Sequence, residues 1–156
     1  MVWMGRRVDS ATAAGVLADP GRLDDLLWLD DGRVLDLDKA WGGVHWLLTG
    51  DVGPTGGALS EAIMGGEPFG DDRGYGPASL LDAGGTAATA HALRQVGNDT
   101  LRDRFDPAAM EEAGIYPSIW DEDDVLDEYL LPKVDLLRAF YDAAAGAGES
   151  VIQVMS

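Results

Sequence analysis

The chain contains no cysteine. Disulfides, thiol nucleophiles and thiolate metal sites are therefore excluded. Histidine is almost as scarce: the two residues, His45 and His91, are too few to build a histidine zinc site without carboxylate help. No apolar run approaches the roughly 18 residues that a membrane-crossing helix needs. The N-terminus, Met-Val-Trp-Met-Gly-Arg-Arg-Val, has no apolar stretch after its arginines, so no secretory signal is read there and a cytoplasmic location is expected. Positive charge is also in short supply, with 11 Lys and Arg against 28 Asp and Glu, a formal charge of −17. Such a field repels nucleic-acid phosphate and anionic membrane, because both are bound by basic residues. It favours basic proteins and divalent cations. A GC-rich or salt-adapted genome would supply the same excess of aspartate without functional demand. No cofactor is expected, and the oligomeric state is left open.

Of the 156 residues, 46% are apolar, enough for the core of one domain. Val2, Met4 and Val8 share a parity and predict an opening strand. Ser10 is placed to cap a helix over Ala11–Ala18, which Asp19-Pro20-Gly21 stops. Leu23, Leu26 and Leu27 recur at helical spacing, and Asp30-Asp31-Gly32 turns the chain. Ala58–Met64 reads as a short helix, Ala78–Leu81 as a strand, and Asp82 caps a helix to about Val96. A helical turn to Phe105 follows, then a short helix started by Asp106-Pro107 and stopped by Gly114. Asp121–Asp124 open the last helix, where acids suit the N-terminal dipole, and Pro132 is expected to kink or break it. Val151–Met155 reads as a final strand. The expectation is a single α+β domain over 1–156, rich in helix, with a small sheet of about three short strands joining both chain ends to the middle.

Unusual residues concentrate in two segments. Leu35–Gly50 packs Asp36, Asp38, Trp41, Gly42, Gly43, His45 and Trp46 into what reads as one helix over 36–49. Leu37, Ala40, Trp41, Val44 and Leu48 follow helical spacing and define its buried stripe. Mid-helix glycines cost about 1 kcal/mol each against alanine, so Gly42 and Gly43 mark a close approach. The glycine-rich loop Met64–Pro77 is the expected neighbour, and its five glycines and two prolines between Gly65 and Pro77 argue against helix or regular strand.

A cleft between helix 36–49 and loop 64–77 would gather Asp38, Trp41, His45, Glu67, Asp71, Tyr75 and Trp120. His45 is either a general base helped by Asp38 or loop carboxylates, or a buried histidine hydrogen-bonded to a carbonyl. Glu67, Asp71 and Asp72 are either oxygen ligands for a divalent cation or a solvated turn; their spacing is not that of an EF-hand, and no metal site is assigned. Asp121–Asp124 are either a docking patch or a solvated helix start. No nucleophile elbow, HExxH or dinucleotide fingerprint is present.

Taken together, Leu35–Gly50, Ala62-Ile63-Met64-Gly65-Gly66-Glu67-Pro68, Gly74-Tyr75-Gly76-Pro77-Ala78, Arg104-Phe105-Asp106-Pro107, Gly114-Ile115-Tyr116-Pro117 and Trp120 resemble the YfbM-like family (domain of unknown function 1877). The resemblance runs over nearly the whole chain. It implies a small bacterial cytoplasmic protein with a single α+β domain, and it implies no activity. The chain departs from the family pattern at Gly42, where a histidine often follows the tryptophan, and at Ser79, where arginine is usual.

Two functions of different class remain as expectations. The first is a non-enzymatic interaction protein that offers an acidic, aromatic-lined surface to a basic protein, for instance as its inhibitor or immunity-type partner. The alternative is a small hydrolase or ligand-binding enzyme in which His45 works with Asp38, or with Glu67 and Asp71, across the cleft.

Overall fold

The computed structural model describes residues 1–156. Alternation at the chain ends sets its centre. β1 (Trp3–Val8) and β5 (Ser150–Met155) pair antiparallel, Trp3 opposite Met155 and Val8 opposite Ser150. β4 (Ala78–Leu81) adds to the far side of β5, Leu80 opposite Ile152. These are the three strands expected from sequence.

Two more strands extend the sheet, so the expected count of about three is corrected to five, in the order β2-β1-β5-β4-β3 with every neighbouring pair antiparallel. β2 (Val34–Asp38) takes the first residues of the stretch read as helix 36–49. Leu35 and Leu37 alternate with Asp36 and Asp38, a strand period that also fits the helical stripe beyond it. β3 (Glu67–Phe69) forms inside the glycine-rich loop, opposite β4. Pro68 lies in it without breaking a central ladder because β3 is an edge strand.

Eight helices cover the two faces: α1 (Ser10–Ala18), α2 (Leu23–Leu27), α3 (Trp41–Thr49), α4 (Ala58–Met64), α5 (Ala83–Gln95), α6 (Asn98–Arg104), α7 (Pro107–Glu112) and α8 (Leu131–Gly146). The caps follow side-chain chemistry. Asp82 accepts from the Gly85 amide and Asp106 from the Ala109 amide, as the sequence predicts, whereas α1 is capped one residue earlier than expected, by Asp9 onto Thr12. Asp121–Asp124 precede a π-helical stretch, Val125–Leu130, rather than lying in a helical turn. That stretch gives way to α8 at Leu131, so the helix changes from π to α geometry directly before Pro132, where a kink or break was expected.

Strand parity divides the core. Trp3, Leu37, Leu81 and Val151 face a large apolar cluster with α3, α4, α5 and α8. Val8, Ala78, Ile152 and Val154 face a smaller one, closed by Ala13 and Val16 of α1 and by Leu23 and Leu27 of α2. Buried polar groups fasten the larger layer to the sheet. The last carbonyls of α4 have no partners within the helix. Gln153 donates to Glu61 O at 2.6 Å, Tyr141 to Ala62 O at 2.9 Å and the Trp3 indole to Ile63 O at 2.9 Å. Gln153 Oε1 also accepts from the Gly65 amide at 3.0 Å, which fixes where the glycine-rich segment leaves α4. No helix is long and apolar enough to cross a membrane.

Candidate functional site

α3 is the buried hub expected from sequence, but it starts later and meets a different neighbour. Ala40, Val44 and Leu48 are buried, while Trp41 is only half-buried. A Cβ on Gly43 would stand 2.7 Å from Trp120 and 2.8 Å from Leu130, and one on Gly42 would stand 3.0 Å from Ile115 and 3.3 Å from the Tyr116 carbonyl. The element that needs the two glycines is therefore the Ile115–Leu130 segment, not the Met64–Pro77 loop. That segment is held by Trp120, whose indole donates to Ile115 O at 2.8 Å. The far end of α3 is closed by α6: Arg104 donates to the Leu47 carbonyl at 3.0 Å, and the Trp46 indole donates to Arg104 O at 3.0 Å.

The structure separates the residues that the sequence gathered into one cleft. Asp38, Trp41, His45 and Trp120 lie around α3. Asp38 is exposed at φ 52°, a left-handed conformation that aspartate tolerates better than most residues, and its side chain is not the α3 cap. Its negative charge acts on Tyr129, whose phenol is raised first by burial and then by Asp38 and Tyr116. The Lys39 ammonium lies 6.0 Å from the centre of the Tyr116 ring. Trp120 is buried. His45 has 0% of its surface exposed. Its Nε2 lies 2.9 Å from the Gly53 carbonyl, which can only accept, so Nε2 carries the proton. Nδ1 has no partner. Burial lowers the His45 pKa, opposed by the Gly53 hydrogen bond and by the charge of Asp51. His45 is thus a neutral side chain that ties α3 to the turn after it.

Glu67, Asp71 and Tyr75 lie elsewhere, on the β3–β4 hairpin, and they do not share one opening. Glu67 lines a cleft of about 420 Å³ with Leu17, Glu61, Pro68, Leu80 and Asp82. Asp71 lines another, about 370 Å³, between Pro20, Leu23 and Asp24 on one side and Phe69, Asp72, Arg73 and Ala78 on the other. Hairpin chemistry shapes this second cleft. Asp72 accepts from the Gly74 amide at 2.6 Å and turns the loop. Arg73 reaches across to Asp24 on α2 at 2.5 Å. Asp71 is exposed and keeps both carboxylate oxygens free of side-chain or backbone donors, and Tyr75 is 56% exposed. Three carboxylates face one guanidinium, so the cleft is net anionic and suited to a cation.

Sequence reasoning missed Trp28, which closes α2 and is 80% exposed. The signal was present: Leu23 and Leu27 form the inward row of this short helix, and Trp28 falls off it, one turn beyond Asp24.

Comparison with known proteins bears on family and fold. No protein of curated function matches the chain. A solved structure of a protein of unknown function, YfbM from Escherichia coli, is similar over 100% of both chains, with a TM-score of 0.80 and 24% identity. A family model described as a domain of unknown function (DUF1877) matches residues 1–154. The chain therefore belongs to the DUF1877 family of YfbM-like proteins.

Proposed function

We propose that the protein is a non-enzymatic interaction module that binds a basic protein partner through its acidic surface. The distribution of charge carries this reading. Six of the 28 carboxylates (Asp24, Asp31, Asp127, Asp135, Asp142 and Glu149) lie within ion-pair distance of an arginine, which leaves 22 with no cationic partner. Seven of the nine arginines are engaged in those pairs. Positive charge is thus consumed internally, and the negative surplus projects into solvent, where it steers cationic partners. An inhibitor or immunity-type role toward a basic protein is one concrete form. No observation favours the hydrolase reading over it, since His45, its intended base, has no exposed surface and holds the Gly53 carbonyl.

The test is affinity capture from the host's soluble proteins on the immobilised chain, eluting from about 0.1 M to about 1 M salt, over which the screening length falls from about 10 Å to about 3 Å. A discrete basic protein should be retained at low salt and released across that range. Capture of nothing that is both basic and salt-sensitive would sink the reading.

A further inference from the structure

We infer that the cleft between α2 and the β3–β4 loop, together with Trp28 one helical turn beyond Asp24, docks an extended arginine-bearing segment of a basic protein. This rests on the interaction-module reading and assigns it a place.

Trp28 closes α2. An indole 80% exposed leaves a large apolar face in water, and tryptophan is the residue most enriched at the energetic centres of interfaces. Its place on α2 sets it beside the cleft. Trp28 follows Asp24, which lines the cleft, by one helical turn, so the two share a face of α2. Its mount is rigid. Arg6, only 3% exposed on β1, grips both oxygens of Asp31 at 2.7 and 2.6 Å and donates to Leu29 O at 3.3 Å, pinning the chain directly after Trp28. On the opposite wall the loop is preorganised by the Asp72 turn and by the Arg73–Asp24 bridge. A surface that is already ordered loses little entropy on binding.

Charge selects the occupant. Asp24, Asp71 and Asp72 outweigh Arg73 within the cleft, and Asp25 and Asp30, beside Trp28 in the chain, have no cationic partner. An apolar segment would bury these carboxylates unpaired, at a cost it could not offset. An arginine satisfies both features together: its planar guanidinium stacks on indole and pairs with carboxylate in a fork that lysine cannot match. A second copy of the chain brings the same charge of −17 and the same acidic cleft, so it is a poor occupant.

The experiment titrates fluorescein-labelled nona-arginine and nona-lysine peptides with the full chain and reads anisotropy at low salt. Wild type is compared with Trp28→Ala, Asp71→Asn and Asp123→Asn. The last removes the same charge from the Ile115–Leu130 segment, on the other layer of the fold. Trp28→Ala should weaken nona-arginine binding by about tenfold, while Asp123→Asn should change it less than about twofold. Asp71→Asn should fall between them, and nona-lysine should bind more weakly and lose less on removal of Trp28. Circular dichroism checks that each variant is folded. Binding that all three substitutions weaken equally and slightly overturns the docking site while leaving the interaction module standing. Failure of both peptides to bind wild type overturns both. A dimer in sedimentation that Trp28→Ala dissociates would show that a second copy covers the cleft, and would overturn the arginine-segment proposal.

Discussion

His45 shows how one buried side chain can resemble a catalytic group in sequence and serve the fold in space. Its proton is committed to the Gly53 carbonyl, and its other nitrogen is sealed without a partner. Charging the ring would place an imidazolium in the core, which burial opposes more strongly than Gly53 and Asp51 favour it. The consequence is a defined pH dependence. The unfolded imidazole titrates near pH 6.5, and the folded one below that. Between the two values the unfolded chain binds a proton that the folded chain does not. The stabilisation is complete above pH 6.5 and is lost as pH falls through the folded value, by at most about 1.4 kcal/mol per pH unit for one proton. His45→Gln retains a donor for Gly53 but cannot titrate. Denaturant unfolding at steps between about pH 7 and about pH 5 should therefore show a lower stability for the variant at the upper end and a flatter decline. A decline as steep as that of wild type would show that His45 is not its source.

At the scale of the element, α3 carries two glycines for unequal reasons. Alanine is the better helix former by about 1 kcal/mol. At Gly43 the added methyl would press on Trp120 and Leu130 at 2.7 and 2.8 Å, both fixed in the core, and overpacking of that kind costs about 1–3 kcal/mol. At Gly42 the nearest atoms are the Ile115 side chain at 3.0 Å, which can shift, and the Tyr116 carbonyl at 3.3 Å, which need give by only a few tenths of an ångström. Gly43→Ala should lower stability by about 1–2 kcal/mol and Gly42→Ala should be close to neutral, as read by denaturant midpoints with unchanged m-values. A Gly43→Ala protein more stable than wild type would refute the close packing assigned to this face. These glycines also mark what the sequence could and could not disclose. That something approaches α3 was legible from the paired glycines, although they fall in its first turn and not in the helix interior that the stretch 36–49 suggested. What approaches was not, because contact between Gly43 and Trp120 is long-range and leaves no local trace. β1, β4 and β5 were legible from their apolar character and bounding turns, and α5 and α7 from Asp82 and Asp106. β2 was hidden by Leu37, which satisfies the strand period with Leu35 and the helix period with Ala40 and Trp41. β3 was hidden by Pro68, which is admissible only because its strand lies at the edge. The candidate residues were legible as unusual, but their division between α3 and the hairpin follows from the strand order, which puts β2, the strand leading into α3, and β3 at opposite edges of the sheet. Trp28 escaped notice because periodicity reveals what is buried and passes over what is left outside.

At the scale of the whole molecule, the surplus charge acts on stability and on binding with opposite sign. The 22 carboxylates without an arginine partner repel one another across the surface. Unfolding relieves that repulsion by moving charges apart, so screening it stabilises the fold. The ion pairs oppose this effect only weakly. Arg94–Asp142 and Arg102–Asp127 are exposed, and such pairs contribute about 0–1 kcal/mol each. Glu149, held by Arg7 and Arg33, is buried and little affected by salt. Raising sodium chloride from about 0.01 M to about 0.15 M shortens the screening length from about 30 Å to about 8 Å and should raise the melting temperature by a few degrees. Replacing Asp121, Asp123 and Asp124 together with asparagine removes three negative charges, taking the formal charge from −17 to −14, and should shrink the gain. Asparagine also tolerates the left-handed backbone of Asp124, at φ 60°, so the substitution tests charge rather than strain. Differential scanning fluorimetry across both salt concentrations decides the matter, and a melting temperature that falls with salt would show that ion pairs, not repulsion, dominate. The same salt weakens capture of a cationic partner. Once the melting temperature is seen to rise with salt, loss of binding over the same range cannot be ascribed to unfolding.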